Sequence, residues 1–315
     1  MLKYAGKRIL ILIPIMLMVI FIVYLLLDLA PGNPASIILG ETATQEDIDA
    51  LNEELGYNNP FFVRFFDYIK DLFTSGSFGT SWRTDRDVMG EVLGRFPVTF
   101  RLAFLGVLFA TLIGVPLGIV SAVKQYSLID NVSRVTAMLL AAFPPFWLGM
   151  LLILFFALQL GWLPPNGIST PRHYILPVIT IAIPQAASIL RFSRSTMLET
   201  IRQDYIRTAR AKGVPERKVI IRHGLRNALL PIITVLGDTF GRLLGGVVII
   251  EAVFAIPGMG QFALNAILMK DVPQVMAAII FLSVVFCLIM LVVDILYGFV
   301  DPRTRSMYTS KRSKS

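Results

Sequence analysis

Asp238 and Arg242 stand four residues apart inside a long apolar run of a 315-residue chain. At that spacing two side chains share one helix face and can pair. Either one at the centre of a bilayer costs about 2.5–3.5 kcal/mol on insertion scales, so both are expected to face other helices or a wet cavity. Two readings stay open: they line a pathway or hold its gate, or they form an internal pair that fixes packing. Little else in the chain can do chemistry. His173 and His223 are the only histidines, and the one cysteine, Cys287, lies in an apolar run. There is thus no intrachain disulfide, no cysteine cluster for a metal, and poor material for a zinc site or a His-based triad. No G-x-x-x-x-G-K-[ST] occurs, so the chain lacks a loop to hold nucleotide phosphates. No catalytic, cofactor-binding or metal-ligating residue is assigned, and no nucleic-acid partner is expected.

The elements around these residues belong in lipid. Hydrophobic residues make up 55% of the chain and charged ones 16%, with mean hydropathy +0.70, where soluble domains carry about 25% charged residues. A span needs about 20 mostly apolar residues. Six stretches qualify: Ile9–Leu29, Val98–Val123, Ser133–Leu160, Ile175–Leu198, Ala228–Ile250 and Val275–Val300. Backbone groups in lipid must be satisfied internally, so these runs are expected to be helices. The short alternating segments of an outer-membrane barrel are missing. Pro14 interrupts the first run, and Asp28-Leu29-Ala30-Pro31 is a poor cleavage site, which reads as a retained anchor rather than a signal peptide.

Lysine and arginine set the orientation. They occur at Lys3, Lys7 and Arg8, at Lys124 and Arg134, ten times between Arg191 and Arg226, and at Arg303, Arg305, Lys311, Arg312 and Lys314. The segment Ala30–Pro97 instead holds eleven acidic and five basic residues. Both termini then face the cytoplasm and the acidic segment faces outward. Within it Thr44 reads as a helix N-cap before Gln45-Glu46-Asp47. Phe61, Phe62, Phe65, Phe66 and Ile69 recur at helical spacing, as an amphipathic helix against the membrane or the bundle would require. Gly76, Gly79 and Trp82 suggest a turn. The segment is either a docking surface for an external partner or a cap over helix ends.

Gly237, Gly241 and Gly245 recur every four residues in the fifth span, and Gly114 and Gly118 do so in the second; both stripes are read as close helix packing. Pro116 is expected to bend the second span, and Pro144-Pro145 to break the third. Arg191 and Arg194, past the apolar part of the fourth run, can snorkel to the interface. Arg101 and Asp294 lie near span ends, Trp147 and Tyr174 pack or anchor, and Trp162 marks the outer interface.

The basic stretch DYIRTARAKG, residues 204–213, lies between the fourth and fifth runs. Asp204 suits a helix N-terminus, Gly213 a left-handed helix end, and Pro215 the first turn of a second helix. Two short helices with a tight turn result. Ala209 and Gly213, four apart, leave a small surface where another backbone could come close. A topology signal alone would need the charge and not the small residues.

RTARAKG followed by HGLRNALLP resembles the EAA loop of ATP-binding-cassette importer permeases, in the form found in dipeptide and oligopeptide permeases. The resemblance extends along nearly the whole chain through LAPGNPA, ELGYNNPFFVRFFDYI, GSFGTSW, RFPVTFRLA, EAVFAIPGMGQF and DILYGFVDPR. It implies an all-α membrane protein with six transmembrane helices of that permease type. Residues 1–29 would be leader and first helix, 30–97 an extracytoplasmic segment, 98–300 the core with a cytoplasmic coupling loop at 199–227, and 301–315 a cytoplasmic tail. The family's loop forms a helix that docks into a groove on a cytoplasmic ATPase. By position this assigns coupling to Asp204, Tyr205, Arg207, Thr208, Ala209, Arg210, Ala211, Lys212 and Gly213. Arg207, Thr208 and Ala209 stand where E-A-A would be; Arg for Glu removes an acidic contact. Asn33 stands where LAPGDP has aspartate.

The resemblance further implies two ATPase subunits or domains that use the ATP, a second homologous permease and an extracytoplasmic substrate-binding protein, in a bacterial or archaeal cell membrane. The solute would be a dipeptide or oligopeptide, with nickel or another small solute as the alternative. A gradient-driven secondary transporter would want acidic residues in broken mid-membrane helices and internal repeats, and only Asp238 fits. A membrane enzyme would need a nucleophile–base or metal constellation, and none appears.

Overall fold

Long apolar runs become helices because nothing in lipid can satisfy an open backbone. In the computed structural model, which describes residues 2–29, 33–40 and 42–300, each of the six predicted spans lies on helix. No strand forms among the described residues; Thr80 and Asp87 make an isolated bridge. Helix α1 is Leu2–Leu29, followed by the short α2 (Pro34–Leu39), α3 (Gln45–Glu54) and α4 (Phe61–Ser75). Then come α5 (Val88–Val123), α6 (Leu128–Ala142) and α7 (Pro145–Leu152), the last continuing as a π-helix over Ile153–Gln159. After a 3-10 turn at Pro171–Tyr174 follow α8 (Ile175–Ile201), α9 (Asp204–Ala211), α10 (Glu216–Lys218) and α11 (Arg226–Gly246), with a π-helical stretch Val219–Leu225 between the last two. The chain ends in α12 (Val248–Val253), α13 (Met259–Leu268) and α14 (Val272–Val300).

Among the described residues four helices are single rods long and apolar enough to cross a bilayer: Val88–Val123, Pro171–Ile201, Glu216–Gly245 and Val272–Val293. A bent pair, Leu128–Ala142 with Pro145–Gln159, is together as long and apolar as a span but turns through 94°. The break falls at Pro144-Pro145, as expected, because two residues in a row lack the N–H that would continue the helix. The first predicted span lies on α1, whose described apolar stretch Ile13–Leu29 is shorter. Pro14 does not interrupt α1, which passes through it. The second span starts at Val88, ten residues before the predicted Val98, and its 36 residues run through Pro116 as one helix. At 1.5 Å per residue that is about 54 Å, well beyond the roughly 30 Å of hydrocarbon. The tail 301–315, the end of DILYGFVDPR and Ala30–Gly32 of LAPGNPA lie outside the described residues, as do the side chains of Lys3, Lys7, Arg8 and Asp294.

The chain divides into two units. One runs from Phe100 to Ile256 and includes the last helix from Leu288 on. At its centre α6, α7 and α11 pack on α8. Against α8 the second span presents Gly106, Ala110, Gly114 and Gly118, one every four residues. A Cβ at Gly114 would lie 2.7 Å from Ala186 O, one at Gly118 2.7 Å from Leu190 O, and one at Gly106 2.5 Å from Ile181 Cγ2. Only glycine permits that approach at these three positions, Gly106 among them.

The other unit comprises Gly6–Thr99 and Pro257–Cys287. Its core gathers Ile20, Phe65, Phe78, Val92, Phe262 and Met276. Thr44 caps α3 in a capping box with Asp47, as read from the sequence. Helix α4 is amphipathic: Phe65 is buried edge-on to Phe21, while Phe62, Phe66 and Phe73 stand exposed. Gly76 and Gly79 both take positive φ in the turn that follows.

Candidate functional site

Helix α9 begins at Asp204, whose carboxylate sits favourably in the first turn. Its chain direction reverses at Gly213, which has φ +73°, a conformation that penalises any Cβ. Ile206 and Ala209 point inward and pack with Val219 and Val214 into a small core of the loop itself. Ala209 is therefore not part of an open small-residue surface; with Ile206 fully buried beside it, the methyl fills the loop's own interior. Gly213 does remain open, with nothing within 4 Å of an added Cβ. Tyr205, Arg207, Thr208, Arg210, Ala211 and Lys212 are exposed. Arg207 lies 3.7 Å from Asp204, Thr208 donates to Asp204 O at 2.9 Å, and Arg210 pairs with Glu216 across the turn at 2.6 Å. Burial raises the Tyr205 hydroxyl pKa, and a hydrogen bond with Asn227 offsets part of that.

The second short helix expected here is not a separate element. Pro215 caps Glu216, and from there the helix runs through the π-helical stretch into α11, one rod from Glu216 to Gly245. Gly224 permits this, since a Cβ there would lie 2.9 Å from Met197 Cε of α8. On the other side only Arg202 and Gln203 separate α9 from α8. The basic hairpin is thus bolted at both ends to long helices.

Arg194 does not snorkel. Its guanidinium is held by both oxygens of fully buried Asp130, Nε at 2.6 Å and Nη2 at 2.8 Å, with Ser121 and the Tyr126 N–H also donating to Asp130. Ser127 caps α6 by accepting from Asp130 N–H. The S-x-x-D spacing of Ser127 and Asp130 was a readable helix-start signal; its pairing with Arg194, 64 residues on, was not. Arg191 is exposed.

In α11, Asp238 and Arg242 pair at 3.1 Å, as their spacing requires, but on a face that the chain leaves open: their side chains are 44% and 66% exposed. Of the glycine stripe, Gly237 meets Val293, whose Cγ2 leaves no room for a Cβ. Gly241 is buried, and Gly245 has nothing within 4 Å. The stripe packs at one end and is open at the other.

Comparison with known proteins places this arrangement. Residues 114–306 match the family model "Binding-protein-dependent transport system inner membrane component", and residues 1–103 match its N-terminal counterpart. The "Glutathione transport system permease protein GsiC" of Salmonella choleraesuis (strain SC-B67) is 41% identical over 305 residues, 97% of this chain and 99% of that one. The protein of that name from Escherichia coli (strain K12) is 40% identical over the same lengths. In fold, an inward-facing structure of the MetNI methionine ABC transporter matches with TM-score 0.57 at 20% identity, over 68% of this chain and 97% of that one. An amino acid ABC transporter crystallised with histidines matches with TM-score 0.53 at 17% identity, over 67% and 94%. The chain belongs to the binding-protein-dependent transport system inner membrane component family, the membrane permeases of ABC importers, and is a transport subunit rather than an enzyme.

Proposed function

We propose that this permease carries short peptides, dipeptides to small oligopeptides, through the membrane of an ATP-driven importer. The observation that carries the reading is 41% identity, along 97% of the chain, to a permease named for glutathione, itself a tripeptide. Two cytoplasmic ATPase subunits would supply the energy, a second homologous permease the other half of the pathway, and an extracytoplasmic binding protein the loaded solute. Both chain termini would be cytoplasmic.

In this reading α9 is the docking helix. Its exposed residues Tyr205, Arg207, Thr208 and Lys212 would meet the ATPase, while Ile206 and Ala209 keep it rigid. Closure of the ATPases would push α9. Its two-residue link to α8 and the unbroken rod into α11 would pass the displacement to the spans. Asp238 and Arg242, on an open face where lipid would be costly, would face the aqueous pathway between the two permeases.

The test is co-purification of the importer, followed by uptake of labelled dipeptides, tripeptides and glutathione into vesicles with and without ATP. ATP-dependent uptake that needs the binding protein is expected. Transport of nickel in place of every peptide would reassign the substrate, and full-speed transport by this chain alone would overturn the reading. Gly213→Trp is expected to leave membrane insertion intact and abolish coupled uptake, read as ATPase activity no longer stimulated by loaded binding protein. Normal uptake in that variant would remove the docking role from α9.

A further inference from the structure

The unit formed by Gly6–Thr99 and Pro257–Cys287 carries a half-open cavity of about 600 Å³, a size typical of small-molecule sites. Such sites join apolar, aromatic walls to a few convergent polar groups. Here the rings of Tyr24, Tyr57, Tyr68 and Trp82 line it. Arg64 also reaches it but is already committed. It pairs with Asp28 at 2.6 Å, donates to Asn59 O at 3.0 Å and lies 4.8 Å over the Tyr57 ring. Three charged groups are not committed. Asp67 and Asp71, one turn apart on α4, and Lys270 all line the cavity, and among the described residues none has an ion-pair partner. The Tyr68 hydroxyl oxygen is buried with no hydrogen-bond partner. A buried, unmet hydroxyl is costly unless something else satisfies it. Burial also raises its pKa, so it keeps its proton and remains a donor.

Uncommitted charges of both signs, a waiting hydroxyl and an aromatic wall describe a zwitterion with apolar parts. We propose that this cavity is a binding site on the permease itself for a free peptide of two or three residues, its ammonium taken by Asp67 and Asp71 and its carboxylate by Lys270 and Tyr68. This rests on the reading of the chain as a peptide permease, and adds a place where the solute is held, against the ends of α1 and α14.

Trp82 lines the cavity and is one of three tryptophans. With Trp147→Phe and Trp162→Phe it becomes the sole reporter in the full chain, placed in lipid nanodiscs. Trialanine is expected to change its fluorescence saturably. N-acetyl-trialanine amide, which lacks both end charges, is expected to bind at least about tenfold more weakly, the scale of one lost charge-assisted hydrogen bond. Asp67→Asn with Asp71→Asn is expected to weaken trialanine by a similar factor with the thermal midpoint unchanged, since both carboxylates are exposed. No saturable response up to about 10 mM, an affinity too weak to matter, overturns the proposal; so does equal binding of the blocked and free peptides. Uptake by the assembled importer separates the two levels. Trialanine uptake without any Trp82 response sinks the cavity alone, whereas an importer that carries a different solute and no peptide sinks the parent reading and this one with it.

Discussion

The second and fifth spans carry the same motif, a small residue every four positions, and the structure uses it in two ways. In α5 the stripe Gly106, Ala110, Gly114 and Gly118 is spent on α8, with backbone oxygens of α8 so close to Gly114 and Gly118 that no side chain fits there. In α11 Gly237 is filled by Val293, Gly245 is free, and the charged pair between them stands half exposed. The first face is finished within the chain; the second is not. A small-residue stripe therefore announces close approach without naming the partner.

The largest expected effect breaks the finished side. Asp130→Ala leaves Arg194 unpaired and only partly exposed to water, a loss of about 3 kcal/mol, read as a lowered unfolding midpoint in detergent. Asp130→Leu combined with Arg194→Met is expected to lose less than either single change, since an apolar replacement leaves no stranded charge. Gly118→Leu drives a side chain into Leu190 O and is expected to cost about 3 kcal/mol by the same measurement. Changes in α11 should separate stability from transport. Asp238→Lys is expected to move the isolated chain by less than about 0.5 kcal/mol, as an exposed i,i+4 pair contributes little. It is expected to abolish uptake, and adding Arg242→Glu not to restore it. Restoration by the double reversal would make the pair a packing device and erase the contrast. Smallest is Gly245→Ala, neutral or stabilising by up to about 1 kcal/mol through helix propensity. Failure of that variant to assemble with a second permease would identify the missing partner of the open face.

Much of this was legible. Periodicity and hydropathy placed every span on helix because lipid leaves the backbone one solution, and Thr44, Gly213 and Pro144-Pro145 each acted as local backbone chemistry demands. The errors share a cause. Val88 was missed as a helix start because Glu91 and Arg95 look like loop to a hydropathy window, although they only extend the helix past the bilayer. Ala209 was read as outer surface because spacing shows which residues share a face, not which way that face turns. Arg194 was released to the interface because its partner, Asp130, is remote in sequence and near only in space.

At Pro144-Pro145 the chain turns through 94°. Neither residue has an amide hydrogen to give, so the bonds that would tie α7 back to α6 do not exist. A swing of α7 about Phe143 therefore breaks no main-chain bond and is resisted only by side chains such as Trp147, stacked on Phe143 with centroids 5.1 Å apart. The joint is greased in advance: with no main-chain brace its stiffness is left to side chains, to the packing of α7 on α8 and to two stacked rings, and one substitution in that stack would tune how freely it pivots.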